Sequence, residues 1–274
     1  MAAIDHLVIS RLGADDARAG LALSEEAHWN QNEADWRFFL TKGTVYGIRD
    51  GDHLIATAAL LPYTSGNAWI SMVLVTANWR RRGLATRLLD ACLEAAAKRG
   101  LTTWLDATPA GAAVYGPLGF TPTLELRRLR HAGPATAAAP KLARDDELDK
   151  MIARDRRAMG FDRSALLREL CGRPGSMLVS HGRAMALIRA GRAARHIGPL
   201  FADHTAGATA LVETIMPSET GPILIDVVSE HDEFLKNLTG SGWTIERPFQ
   251  RMRFGLATAG ASDPPFAVAG PEYG

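Results

Sequence analysis

The chain has 274 residues, 47% of them hydrophobic and 22% charged, with 31 Lys and Arg against 30 Asp and Glu. That length is enough for two modest hydrophobic cores. The near-neutral balance, held on both sides of residue 135, excludes the wide electrostatic field that steers proteins onto nucleic acid or an anionic membrane.

Cys92 and Cys171 have neither disulfide nor metal spacing, the N-terminus shows no charged-then-apolar signal segment, and no apolar run is long enough to span a bilayer. These features imply a reducing, cytoplasmic setting with no bound metal. In chain order, the apolar patterning predicts a strand at 6–12, helices at 14–26 and 33–41, and strands at 45–49 and 53–62. The run Trp69-Ile70-Ser71-Met72-Val73-Leu74-Val75 reads as a central strand. Leu84, Leu88, Leu89, Cys92, Leu93, Ala96 and Ala97 recur at helical spacing, and Lys98-Arg99-Gly100 supplies a stop. A strand at 104–106, a short helix ending near Tyr115 and strands through Arg130 complete the first half.

Residues 131–140, small and bounded by proline, read as a linker. After it the element order returns. Helices are predicted at 146–159 and 163–171, strands at 177–180, 184–189 and 195–200, a helix at 206–215, a strand at 223–228 and a helix at 230–238. Ser241-Gly242-Trp243 then stands where Leu118-Gly119-Phe120 stood. The expected architecture is α/β (α+β): two mixed-sheet domains in tandem, 1–133 and 141–257, helices on both sheet faces, and a tail at 258–274.

The junction Arg80-Arg81-Arg82-Gly83-Leu84-Ala85-Thr86-Arg87 lies between the central strand and the amphipathic helix. Free N–H groups and the positive end of the helix dipole make such a point an anion site, and Gly83 and Ala85 keep it free of bulk. The pattern Arg80-x-x-Gly83-x-Ala85, followed by Tyr115-Gly116-Pro117-Leu118-Gly119-Phe120, resembles the pyrophosphate loop and the Tyr-x-x-Leu-Gly-Phe segment of the GNAT family of acyl-CoA N-acyltransferases.

The resemblance implies that acetyl-CoA is the cosubstrate. Main-chain groups of Val73, Leu74 and Val75 would line the pantetheine arm, with Arg80, Arg81, Arg82, Gly83, Leu84, Ala85 and Thr86 around the pyrophosphate. A strand that parts from its neighbour at a bulge would offer an N–H to the developing oxyanion. Tyr115 would be the general acid, since a phenol near pKa 10 can protonate a departing thiolate without being ionised at rest. Where the family often has Asn, seven residues before that Tyr, this chain has Thr108, which can still cap a helix. Asp106 matches the position where several relatives place a catalytic Glu, and it reads equally as an Asx turn closing a strand. Glu26, His28, Trp29 and Asn30 fall in the segment that roofs the acceptor site in this family.

The expected activity is therefore direct acetyl transfer to a primary amine, on a small molecule or a peptide N-terminus, with no role for nucleic acid or membrane. The other reading is a CoA-binding regulatory or assembly module without turnover. Homodimerisation stays open. In the second half, Asp203 aligns with Arg80, Ala206 with Gly83 and Leu238 with Tyr115, so the second copy is expected to be degenerate and to bind no CoA. In the tail, Phe266, Val268 and Tyr273 follow Pro264-Pro265 with few charges, a composition that favours docking on the body over a solvated extension.

Overall fold

The computed structural model describes residues 7–133, 145–256 and 264–274. The chain divides into two compact units, residues 1–105 with 253–255, and 106–252 with 256–274. This division does not follow the sequence repeat, because the last strand of the first copy lies in the second unit.

The first unit begins with β1 (Ile9–Arg11), α1 (Ala17–Glu26) and α2 (Glu33–Lys42). Asn32 caps α2 through the Asp35 N–H, and Asp35 returns a bond to the Asn32 N–H, a reciprocal pair that fixes the helix start. A Cβ on Gly20 would sit 2.4 Å from the Trp36 ring, so α1 and α2 meet closely there. The Trp36 indole N–H donates to Ser24 Oγ at 3.0 Å, which satisfies both buried polar groups. The strands β2 (Thr44–Asp50), β3 (His53–Pro62) and β4 (Asn67–Val75) pair antiparallel in sequence order, and β5 (Thr102–Ala107) pairs parallel with β4. α3 (Leu84–Ala97) crosses from β4 to β5, as a parallel pair requires. Successive residues of β3 and β4 are buried, so helices cover both faces of the sheet.

The second unit contains α4 (Pro109–Tyr115) and β6 (Thr121–His131), then α5 (Asp145–Met159), α6 (Ser164–Cys171), β7 (Met177–His181), β8 (Ala184–Arg189) and β9 (Arg195–Phe201). α7 (Thr205–Ile215), β10 (Ile223–Val228), α8 (Asp232–Gly240) and β11 (Thr244–Phe254) follow. Its strands run in the order β11-β6-β10-β9-β8-β7, with β9 and β10 parallel and β6 antiparallel to β10. Leu211, Ile215, Ile225, Phe234, Leu238 and Trp243 belong to one buried cluster of this unit. The repeat read from the sequence is visible in detail: β6 and β11 each follow a short helix and a Gly-aromatic pair, and they share one burial pattern along eleven residues.

Two local expectations need correction. β6 continues through His131, because six of its residues pair with β10 up to Ile223, so the linker cannot begin there; residues 134–140 lie outside the described residues. The first helix starts at Ala17 because residues 14–16 form a 3-10 turn.

The tail docks. Phe266, Val268 and Tyr273 are buried, and Arg189 donates to the Ala269 carbonyl and to Glu272 at 2.9 and 2.6 Å. The Arg163 guanidinium, held by Asp155, donates to the carbonyl oxygens of Tyr273 and Gly274.

Candidate active site

β4 carries the first part of the site. Its pairing with β5 ends at Trp69 and Trp104, while β4 itself runs on to Val75. The strands therefore fork, and among the described residues of this unit the β5-facing edge of 70–75 has no strand partner. Opposite the fork, the β3–β4 register slips between Thr57 and Ala59, so that two residues of β4 oppose one of β3. Met72 turns into the left-handed region at this bulge, with φ at 52°, and its side chain is buried. Thr57 Oγ donates to the Met72 carbonyl at 2.8 Å, which ties down the strained residue. A bulge beside a fork is a place where a strand leaves the regular ladder.

The second part is the turn into α3. Gly83 occupies the N-cap position at φ 78° with no side-chain cap, and a Cβ there would meet no protein atom within 4 Å. Only glycine adopts that backbone without strain, and the space around it stays open. The first N–H groups of α3 are thus presented at an uncapped helix end. Arg80, Arg81 and Arg82 are exposed around it. Arg80 Nε donates to the Val75 carbonyl at 3.0 Å, and the Arg82 guanidinium lies 4.7 Å over the Trp79 ring. Leu84 is buried under the turn, and Ala85 and Thr86 are partly exposed. An uncapped helix start, a glycine with open space above it and a row of arginines fit a pyrophosphate; the fork between β4 and β5 fits an extended arm with amide groups.

Of the acceptor-side residues, Glu26 is the best defined. Its carboxylate accepts from Thr76 Oγ at 2.7 Å and from the Ala77 N–H at 2.6 Å, so the end of α1 holds the start of the arginine turn. Those two hydrogen bonds keep its carboxyl below the ordinary range. His28 stands in the turn after α1 at φ 56° and is exposed; Trp29 is partly buried, and Asn30 is buried. These four residues and the loop belong to the first unit, whereas Asp106 and Tyr115 belong to the second.

The Asp106 side chain is buried, and both its oxygens accept from Arg251, at 2.8 and 2.9 Å. Burial pushes its carboxyl upward and the Arg251 charge pulls against it. Tyr115 ends α4, whose start is capped by Thr108 through the Gly111 N–H at 3.3 Å. Its ring lies 5.9 Å from that of Phe120, and a Cβ on Gly111 would come within 3.1 Å of it. Cys92 lies on the buried face of α3, and burial pushes its thiol up to about 12, far from the thiolate a covalent intermediate needs.

Sequence reading missed Arg251 and Thr57. Nothing in the spacing joins Arg251 to Asp106 across the chain. Thr57, a lone polar residue in Ile55-Ala56-Thr57-Ala58-Ala59, was visible as a break in an apolar strand.

The second copy differs at the turn into its helix. β4 and α3 are separated by residues 76–83, but β9 and α7 only by 202–204. The His204 ring accepts the Gly207 N–H at 3.0 Å and so caps α7 itself. Asp203 is held by Arg154 and Arg183.

Comparison with known proteins agrees with this geometry. Residues 14–120 match the model of the acetyltransferase (GNAT) family, and residues 151–263 match that of an acetyltransferase (GNAT) domain. The chain belongs to the GNAT family. It is a tandem GNAT protein and an acyl-CoA-dependent N-acyltransferase. It is 24% identical over 254 residues to the uncharacterized N-acetyltransferase YitH of Bacillus subtilis (strain 168), covering 89% of each chain. A crystal structure of a proposed acetyltransferase from Pyrococcus horikoshii has the same fold, with a TM-score of 0.78 at 18% identity over 99% of this chain and 97% of that one. A tandem GNAT protein from the clavulanic acid biosynthesis pathway gives a TM-score of 0.65 at 16% identity, over 92% and 100% of the two chains. No helix among the described residues of the GNAT chain is long and apolar enough to cross a membrane.

Proposed function

We infer that this GNAT protein transfers an acetyl group directly from acetyl-CoA to a primary amine, using the first copy alone. The observation that carries the reading is the uncapped start of α3 at Gly83, set beside the forked end of β4. In this reading the N–H groups around 83–86 hold the pyrophosphate, Arg80, Arg81 and Arg82 add positive charge, and the main chain of Val73, Leu74 and Val75 aligns the arm. Acetyl-CoA supplies an activated thioester carbonyl when bound. A main-chain N–H at the β4 bulge polarises that carbonyl, and the neutral amine nitrogen attacks its carbon. The C–S bond breaks as Tyr115 donates its phenolic proton to the leaving sulfur, and the proton shed by the nitrogen passes to solvent, from which the phenolate is reprotonated. Glu26 fixes the loop, while His28, Trp29 and Asn30 form the acceptor side.

Asp106 is assigned a positioning role, because its carboxylate is buried and paired through both oxygens with Arg251. The acceptor is a small-molecule amine or a peptide N-terminus. A screen of amine classes with acetyl-CoA, read by CoA release, tests the proposal. Acetylated product with at least one amine is expected, and CoA binding without turnover across the panel would return the chain to a binding module.

A further inference from the structure

The fork that the first copy opens is also built in the second, and there it is filled. β9 and β10 run parallel over three residue pairs, Arg195 with Ile223 through Ile197 with Ile225. Beyond these pairs β9 continues to Phe201 and β10 to Val228. The β8–β9 register slips between Ala186 and Ile188, so that Gly198 and Pro199 form a bulge like that of Met72 and Val73. Into this fork comes the segment around Ala267, which bridges Leu200 on one side and Val227 on the other. Its main chain bonds both strands: Phe266 N–H to Leu200 O at 2.9 Å, Leu200 N–H to Ala267 O at 2.9 Å, Val228 N–H to Phe266 O at 3.1 Å, and Val268 N–H to Asp226 O at 3.0 Å. A Cβ on Gly198 would lie 2.0 Å from the Val268 carbonyl oxygen, so the bulge residue is cut to the segment's backbone.

We propose that residues 264–274 are the built-in occupant of the second copy's cofactor cleft, standing where the first copy receives the pantetheine arm. A pantetheine arm offers amide donors and acceptors along an extended chain, and a peptide strand offers the same groups at closer spacing. Side chains make the substitution durable. Phe266 stacks on His231 at 3.9 Å and meets Phe234 edge-on, and Glu272 and Tyr273 close over Arg189. At the far end of the cleft, the short 202–204 turn and the His204 cap leave no anion loop. The second copy has thus exchanged a dissociable ligand for a segment of its own chain, and its fold depends on that segment as a strand. The comparison with pantetheine rests on the proposed cofactor site of the first copy; the occupancy of the fork does not.

The test uses the full chain with a protease site placed within 258–262, cleaved after folding. The severed 264–274 fragment should co-elute with the body on gel filtration, and Leu200, Val228 and Val268 amides should stay protected from hydrogen exchange. Glu272→Gln should raise the fragment's dissociation rate by about tenfold or more, since it weakens a buried charge pair. Departure of the fragment with loss of protection at Leu200 and Val228 also fits the proposal. Departure with those amides still protected overturns it, as does displacement of the fragment by millimolar CoA, which would make the second fork a masked cofactor site. CoA binding to the uncleaved chain, measured separately, reports on the first copy, so the two readings fail independently.

Discussion

Gly83 concentrates what a single residue contributes to this protein. At φ 78° a side chain costs backbone strain, and the open space above it is the space a phosphate would take. Gly83→Val is expected to weaken CoA binding by about 100-fold or more, roughly 2.7 kcal/mol. Arg81→Ala, which removes one exposed charge, should cost only about two- to fivefold. Isothermal titration of both variants decides it, and wild-type affinity in Gly83→Val would remove the pyrophosphate assignment. Tyr115→Phe should lower kcat by about 10²–10⁴-fold with little change in CoA affinity, the pattern of a lost general acid. An unchanged kcat would leave Tyr115 as a packing partner of Phe120. Asp106→Asn removes one member of a buried bidentate pair and strands the Arg251 charge, so it should cost about 3–5 kcal/mol of stability. Chemical denaturation measures that loss, and a stable variant with a shifted acidic limb in its pH–rate profile would restore Asp106 as a base.

At the scale of elements, β6, β9 and β10 of the second unit share a buried charge network. Asp226 on β10 accepts both arms of the Arg128 guanidinium at 2.8 Å, and the His196 Nε2–H at 2.8 Å. Burial alone would raise the Asp226 carboxyl, but Arg128 and its hydrogen bonds hold it far below the usual carboxylate range. Burial first, then the Arg189 charge, push His196 below its ordinary 6.5. Both folded-state shifts are downward, so in both cases the unfolded chain takes up the proton first as pH falls. The His196 contribution is present above about pH 6.5 and is lost below it; that of Asp226 is present above about pH 4 and is lost toward its folded value. The melting temperature should therefore be flat from pH 8 to about 7, decline by pH 5.5, and fall more steeply below about pH 4. A melting temperature that rose between pH 7.5 and 5.5 would contradict this assignment, and His196→Gln should remove the first decline while leaving the second.

For the whole molecule, the proposed function divides the work unequally between the two copies. Among the described residues, the first has an arginine turn, an uncapped helix start and a fork without a strand in it; the second has a short turn, a His204 cap and a filled fork. Calorimetric titration with CoA should give one site per chain, and two equal sites would refute the unequal division. The helix order, the repeat and the arginine turn were legible because each is written within a few consecutive residues. Asp106 as a candidate base was legible only as a residue type, and its environment was not.

The sequence by itself determined the features that depend on local pattern. Apolar periodicity placed the helices and strands, a glycine after three arginines marked the helix start, and Phe266, Val268 and Tyr273 tilted the tail toward docking. Only the tertiary structure decided which distant groups meet. Arg251 reaches Asp106 from 145 residues away, β6 takes β10 as its neighbour, and Ala267 finds the gap between Leu200 and Val227. The reason is physical: dihedral preference and side-chain periodicity act over one or two turns of chain, whereas burial of a charge or an unpaired strand edge is settled by whatever complementary group the whole fold brings within reach.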